Sequence, residues 1–328
     1  MEFNQFIEKT KRAIQEYLGE DVTVILNQVT KNNGVILDGL CIVKKEKNIS
    51  PTIYLNHFYD TYEEGITFGD TIKKIIDIYE QNKIDQNINM EFFTEYNQVK
   101  QRIAYKLINY DKNKELLEDI PFIKYLDLAI VFYCIVMDER IGNASILIHN
   151  KHCTMWGVTL EEVYAIAKEN TPRLLPSELR NMEDVIRQII SEDLQGDYQS
   201  SFKTDVKGEQ IESSEEWIEN ADQVTESIKT DNQNVPMYVL SNRTRVHGAA
   251  CMLYQDVVSK FAEDLQKDLY ILPSSIHEII IIPVEYSDNA IELNKMVQEV
   301  NRTQVDEEEI LADHAYYYSR INRQVTQM

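Results

Sequence analysis

The chain lacks most of the short signatures that announce a chemistry. Neither Gly-x-Gly-x-x-Gly nor Gly-x-x-x-x-Gly-Lys occurs in its 328 residues, which removes the dinucleotide fingerprint and the phosphate loop. No Cys-x-x-Cys pair is present, so no ready-made zinc module is expected. The four cysteines, Cys41, Cys134, Cys153 and Cys251, are widely spaced and mostly flanked by apolar residues, which predicts free thiols rather than disulfides. Positive charge is scarce: 33 Lys and Arg stand against 55 Asp and Glu, a formal charge of -22. That balance argues against a nucleic-acid backbone or an anionic membrane as the main partner. The opening Met1-Glu-Phe-Asn-Gln-Phe-Ile-Glu8 has neither the basic segment nor the apolar stretch of a secretory signal. The longest apolar run, Leu128 to Met137, is half of the ~20 residues that a membrane-spanning helix needs. A cytoplasmic protein is expected.

What is present is a folding sequence, 43% apolar and long enough for two or three domains. Its most apolar segment runs from Leu269 to Glu285. It reads as two strands, Leu269 to Leu272 and Ile276 to Val284, broken at Pro273-Ser274-Ser275, and the four isoleucines 279–282 suit a strand covered on both faces. Before it, Phe3, Phe6, Thr10, Ile14 and Tyr17 recur at helical spacing up to Gly19. Val22 to Val29 and Val35 to Val43 form a hairpin through Asn33-Gly34, Thr52 to Tyr59 adds a third strand, and Thr67 caps a helix. The first unit, 1–85, thus reads αβββα.

A second unit, 98–191, reads βαββα. Its elements are a strand at Ile103 to Leu107, a helical turn at Asn113 to Leu117, a strand from Leu126 to Met137, a turn at Asp138 to Asn143, and a strand from Ala144 to His149. A helix follows, opened by a Thr159/Glu162 capping box and stopped by Pro172, with another near Met182 to Ile190. Residues 192–235 are polar, with twelve acids against three lysines between Glu192 and Asp231, and read as a flexible acidic linker. The last unit, 236–328, repeats βαββα. It has a strand at Met237 to Leu240, a helix from Ala249 to Leu265, the two apolar strands and a helix from Asp288 to Val300, followed by a closing helix from Asp306 through Tyr318. The fold class expected is α+β, in two or three small sheet-and-helix units.

Four groups of residues could carry chemistry. Ser275, His277 and Glu278 bring a nucleophile, a base and an acid within five residues. A strand, however, turns Ser275 and His277 to one face and Glu278 to the other, and serine at a strand break is ordinary turn chemistry. His149, His152 and Cys153 are possible zinc ligands that lack a fourth nearby; a polar turn with one buried thiol is the commoner outcome. Asn242-Arg243-Thr244-Arg245-Val246-His247-Gly248 is a basic loop between a strand and a helix, able to bind an anion or acidic peptide, or to pair with the chain's own carboxylates. Glu307, Glu308, Glu309, Asp313 and His314 collect near the carboxyl end, where first-turn acids complement a helix dipole.

Leu272-Pro-Ser-Ser-Ile-His-Glu278, Val300-Asn-Arg-Thr-Gln-Val305, Leu311-Ala-Asp-His314 and His149-Asn-Lys-His152 followed by Trp156-Gly-Val-Thr159 together resemble the domain-of-unknown-function family 5688, almost end to end. The resemblance implies a bacterial, cytoplasmic protein and carries no activity to any of these residues. The expectation is a non-enzymatic interaction protein that binds a protein partner through a sheet face or through Arg243, Arg245 and His247, with no cofactor and no direct contact with nucleic acid or membrane. The alternatives are a hydrolase or metal-dependent enzyme using Ser275 with His277, or His149, His152 and Cys153, and an acidic mimic of nucleic acid that occupies a basic partner.

Overall fold

The computed structural model describes residues 1–83, 87, 90–136, 144–188, 235–273, 275–286 and 290–328. It is an α+β protein with three small antiparallel sheets. The chain divides into two compact units, one of Met1–Ala104, Tyr110–Phe122 and Val131–Ala167, the other of Tyr105–Asn109, Ile123–Ile130 and Lys168–Met328.

Helix α1 (Phe3–Leu18) buries Phe6, Thr10 and Ile14 and ends at Gly19, whose φ of 76° is open to glycine. Strands β1 (Val22–Thr30) and β2 (Ile36–Lys44) pair antiparallel from Val22 opposite Lys44 to Thr30 opposite Ile36. Asn33 and Gly34 make the turn at φ 61° and 73°. β3 (Thr52–Tyr54) completes the meander in the order β1-β2-β3, but it is shorter than the run to Tyr59 that its composition predicts. From Asn56 the chain is helical, α2 (Asn56–Glu63). The reason is tertiary: Tyr59 and Tyr62, one helical turn apart, lie 5.3 and 5.4 Å from the ring of fully buried Phe6, a contact that a strand, with its period of two, would divide between faces. Helix α3 (Phe68–Asn82) is capped by Thr67 Oγ1, which accepts from the Asp70 amide at 3.2 Å. Ile14, Val24, Leu40, Leu55 and Ile75 make the shared core, each side chain contributing about 1.5–3 kcal/mol by its burial.

The next sheet has the order β4-β6-β5, with β7 also pairing β6. Its strands are β4 (Ile103–Asn109), β5 (Phe122–Tyr125), β6 (Leu128–Ile135) and β7 (Ser145–Leu147). The apolar run from Leu126 begins as a turn, with Leu126 at φ 56°; no glycine flags it in the sequence, so the strand before it, β5, is not legible there. The turn expected at Asp138 to Asn143 lies outside the described residues. Short helices α4 (Tyr96–Val99) and α5 (Lys114–Asp119) and then α6 (Asn150–Trp156) and α7 (Leu160–Leu174) complete this stretch. Thr159 forms the expected capping box, its amide donating to Glu162 Oε2 at 2.8 Å and its hydroxyl accepting from the Glu162 amide at 3.3 Å. Pro172 does not end α7, because it falls within the last turn, where it removes a single backbone bond.

The last sheet has six strands in the order β13-β12-β10-β11-β9-β8. They are β8 (Ser177–Asn181), β9 (Tyr238–Asn242), β10 (Leu269–Leu272), β11 (Ile279–Pro283), β12 (Tyr316–Ser319) and β13 (Gln324–Gln327). The isoleucine ribbon is interior as expected: Ile279 and Ile281 are fully buried, and Ile282 packs with Tyr270, Leu293 and Val297, the last two from helix α9 (Ala290–Gln304). Two expectations fail. The helix foreseen from Ala249 to Leu265 is a 3₁₀ segment, Gly248–Leu253, and a separate α8 (Val257–Leu265), parted by Tyr254 in extended geometry and Asp256 at φ 61°. The closing helix is a single 3₁₀ turn, Glu307–Glu309, followed by the β12-β13 hairpin. Tyr316 and Tyr318 are buried and Tyr317 between them is not, a period of two that aromatic strands favour. The acidic stretch 192–234 lies outside the described residues.

Candidate functional site

The second unit gathers most of the residues that the sequence singles out. Past β10, three contacts join the chain to residues 309–312: the Ala312 amide donates to the Pro273 carbonyl at 3.1 Å, the Ile276 amide donates to the Glu309 carbonyl at 2.9 Å, and Ser275 bridges to Ile310. Leu272 to Glu278 and Leu311 to His314, two of the phrases quoted above, are therefore neighbours in space.

His277 is held from three directions. Its Nδ1 accepts from the His247 amide at 3.3 Å, its Nε2 lies 3.2 Å from Glu309 Oε1, and its ring stacks on that of His247 at 5.7 Å and 12°. With Nδ1 accepting, the ring proton sits on Nε2 and is donated to Glu309. Ser275, 5% exposed, accepts from the His277 amide at 3.0 Å and bonds the Glu278 carboxylate. Serine, histidine and acid are thus near one another without forming a relay, because the imidazole spends both nitrogens elsewhere.

The basic loop is fastened to the same place. Asn242, 1% exposed, accepts at Oδ1 from the Thr244 amide at 3.0 Å and hydroxyl at 2.8 Å, and donates from Nδ2 to the Val246 carbonyl at 2.8 Å. The Ser241 hydroxyl donates to the His277 carbonyl at 2.7 Å, and the Ala249 amide to the Ile276 carbonyl at 3.2 Å. His247 adopts φ 56°. Its burial first, then the charge of Lys106 and the neighbouring His277, push its pKa down to about 2. Arg243 and Arg245 are both exposed at the outer side of the loop.

Beside the loop lies a pocket of about 300 Å³. Glu178 and Arg180 of β8, Val239 and Ser241 of β9, and Glu278 and Ile280 at β11 line it, with Met182, Val185 and Arg245. Arg180, Glu178 and the residues at 182 and 185 are not among the sites read from sequence. The only signal is slight: in Ser177-Glu-Leu-Arg-Asn181 the two charges, Glu178 and Arg180, stand two residues apart around Leu179, a spacing that puts them on one face of a strand. Burial raises the Glu278 pKa, opposed by His277 and by the bond from Ser275, while Glu309 adds to the rise and Arg245 opposes it.

The remaining candidates are used locally. His149 and His152 cap α6 reciprocally, the His149 side chain accepting from the His152 amide and His152 Nδ1 from the His149 amide at 3.0 Å. His152 also meets Phe93 edge-on at 5.0 Å. Burial pushes the Cys153 thiol pKa up, which disfavours the thiolate that a metal requires. Among the described residues no group of three or more His, Cys, Asp or Glu is placed to hold a metal ion. Asp313 accepts from Asn301 Nδ2 at 2.9 Å, and His314 lies 3.6 Å from Asp127, so the acids at the carboxyl end do not share one helix face.

The fold and site define an α+β protein whose second unit joins an interlocked polar loop pair to a charged, partly apolar pocket. Residues 3–320 match the model of a family described as a family of unknown function (DUF5688), and the chain belongs to that family. No curated protein and no solved structure matches it. No helix among the described residues is long and apolar enough to cross a membrane.

Proposed function

We propose that this is a non-enzymatic interaction protein of the bacterial cytoplasm, which holds a protein partner through the loop carrying Arg243 and Arg245 and the sheet face beside it. The observation that carries this reading is the state of His277. With one ring nitrogen accepting from His247 and the other bonded to Glu309, the imidazole has no lone pair left to activate Ser275, and a nucleophile without a base is scaffolding. Two exposed arginines on a loop made rigid by Asn242 are, in contrast, arranged to meet carboxylates.

The test uses the full-length protein. A fluorescent glutamate-rich peptide binds in a salt-sensitive manner, and Arg243→Gln with Arg245→Gln together weaken it about tenfold, as two rim charges should. Turnover in a broad hydrolase and nucleotide screen that vanishes in Ser275→Ala or His277→Ala overturns the reading in favour of the hydrolase.

A further inference from the structure

The pocket beside the loop has a more definite chemistry than an arginine pair on a surface. On β8, Glu178 and Arg180 share a face. Arg180 stands opposite Val239, which stands opposite Ile280 on its other side, and Glu178 stands opposite Ser241. The floor therefore has an apolar strip, Val239 and Ile280, with a guanidinium at its edge, and Met182 and Val185 add apolar surface. Over it two cations converge on one uncharged oxygen: Arg180 Nη1 donates to Gln188 Oε1 at 2.5 Å, and Arg245 Nη2 donates to the same atom at 3.1 Å. An ionised acceptor makes hydrogen bonds roughly twice as strong as a neutral one, so a carboxylate oxygen at this point gains what an amide oxygen leaves unused.

Glu178 and Glu278 limit what the anion can be. The two arginines are offset by two glutamates in the lining, so the site has little surplus positive charge for a dianionic phosphate and suits a single carboxylate better. Burial raises the Glu278 pKa, with the bond from Ser275 and the charge of Arg245 among the influences that oppose the rise, while Glu178 is exposed at the rim. The volume of about 300 Å³ is at the lower end of the ~300–1,000 Å³ of small-molecule sites, which suits one residue and its terminus rather than a large ligand.

We infer that this pocket takes an α-carboxylate borne next to an apolar side chain, with the carboxylate between Arg180 and Arg245 and the side chain on Val239, Ile280, Met182 and Val185. The source is the C-terminus of a peptide or a free amino acid; the inference deepens, and rests on, the reading of unit two as a binding module. Calorimetry on the full-length protein with acetyl-Ala-Ala-Leu as the free acid, its C-terminal amide and free leucine tests it. The acid binds at least tenfold more tightly than the amide, Arg180→Gln brings the acid down to the level of the amide, and Arg302→Gln, exposed on α9 and outside the pocket lining, leaves the ratio unchanged. Free leucine binding as well as the peptide acid supports the same chemistry and assigns the source to an amino acid. Acid and amide binding within twofold of each other, no binding of either, or acetyl-Ala-Ala-Asp binding as well as the leucine peptide overturns the assignment. Loss of the acid preference while the glutamate-rich peptide still binds through Arg243 removes the pocket alone; loss of both removes the binding module under it.

Discussion

The first and last sheets solve the same problem differently. In β1 the burial alternates, Val22 and Val24 inward and Thr23 and Ile25 outward, so one face meets helices α1 and α3 and the other meets water. The polar side chains of β1, Thr23, Asn27, Gln28 and Thr30, are exposed, and the packed side is built from Ile14, Leu40, Leu55 and Ile75. In the last sheet β11 is buried on one face at Ile279 and Ile281, both at 0% exposure, and on the other at Ile282, at 2%, while Ile280 on that second face is half-buried and lines the pocket. Buried polar groups beside β11 lie at strand ends and loops, where leaving a hydrogen bond unmade costs about 1–3 kcal/mol. Ser241, Asn242 and Ser275 are all buried and all bonded. A strand covered for most of its length leaves the edge pocket and the loops as the places where charge can be presented, which is where the proposed binding chemistry is put.

The largest test of this contrast uses two glycines. A Cβ on Gly248 would stand 2.1 Å from Ser241 Oγ, 2.4 Å from the His277 carbonyl oxygen and 2.7 Å from the Asn242 amide nitrogen. Two of those atoms are backbone and cannot swing away, so Gly248→Ala costs about 3 kcal/mol of overpacking strain and loosens the loop pair. Gly69, near the start of α3, has only Thr67 Oγ1 at 3.9 Å, so Gly69→Ala is neutral or stabilises by up to about 1 kcal/mol. Urea denaturation of both variants checks the pair. A Gly248→Ala loss below about 1 kcal/mol breaks the picture of interlocked loops.

Next in size is the pH response. His247 has a folded pKa of about 2, below the ordinary ~6.5 of the unfolded chain. The unfolded state therefore binds the extra proton first. The stability contributed by neutral His247 is complete above pH ~6.5 and falls as pH drops below it, by about 2 kcal/mol between pH 7 and 5 if no other group compensates. Lys106 and His277 face the ring, and Glu309 is bonded to His277. His152 in the first unit is shifted the same way by burial, then by His149 and Lys151, so the informative quantity is the difference between wild type and His247→Asn, a replacement that tolerates the positive φ. Denaturation midpoints at pH 7 and 5 should converge between the two proteins as pH falls; parallel lines refute a buried neutral His247.

How much of this was legible depends on whether local and tertiary preferences agree. Helix α1, the β1-β2 hairpin and the Thr67 cap follow from spacing, from Asn33-Gly34 and from a hydroxyl three residues before an amide, all local devices. The α2 helix and the β12-β13 hairpin were misread because Phe6 and the strand β10, far away in sequence, decide them. For the site, Ser275, His277, Arg245 and His247 were all singled out and do lie together, joined through contacts to Ser241 and Glu309 that no spacing rule connects. Arg180 was missed because its strand holds a single apolar residue, Leu179, and because Gln188, which bonds it, sits beyond the strand in a segment read as a plain helix.

The smallest effect expected belongs to the first unit and should remain there. The Thr159/Glu162 box ties two otherwise unpaired amides at the start of α7, next to the histidine box at the start of α6. Thr159→Ala leaves the Glu162 amide to water and lowers stability by about 1 kcal/mol, read as a shift in the urea midpoint. Because capping acts within one turn of a helix end, the same variant should bind acetyl-Ala-Ala-Leu acid over its amide with the wild-type ratio. A change in that ratio would mean that the first unit shapes the pocket, and the division of labour between the two sheets would have to be redrawn around α7.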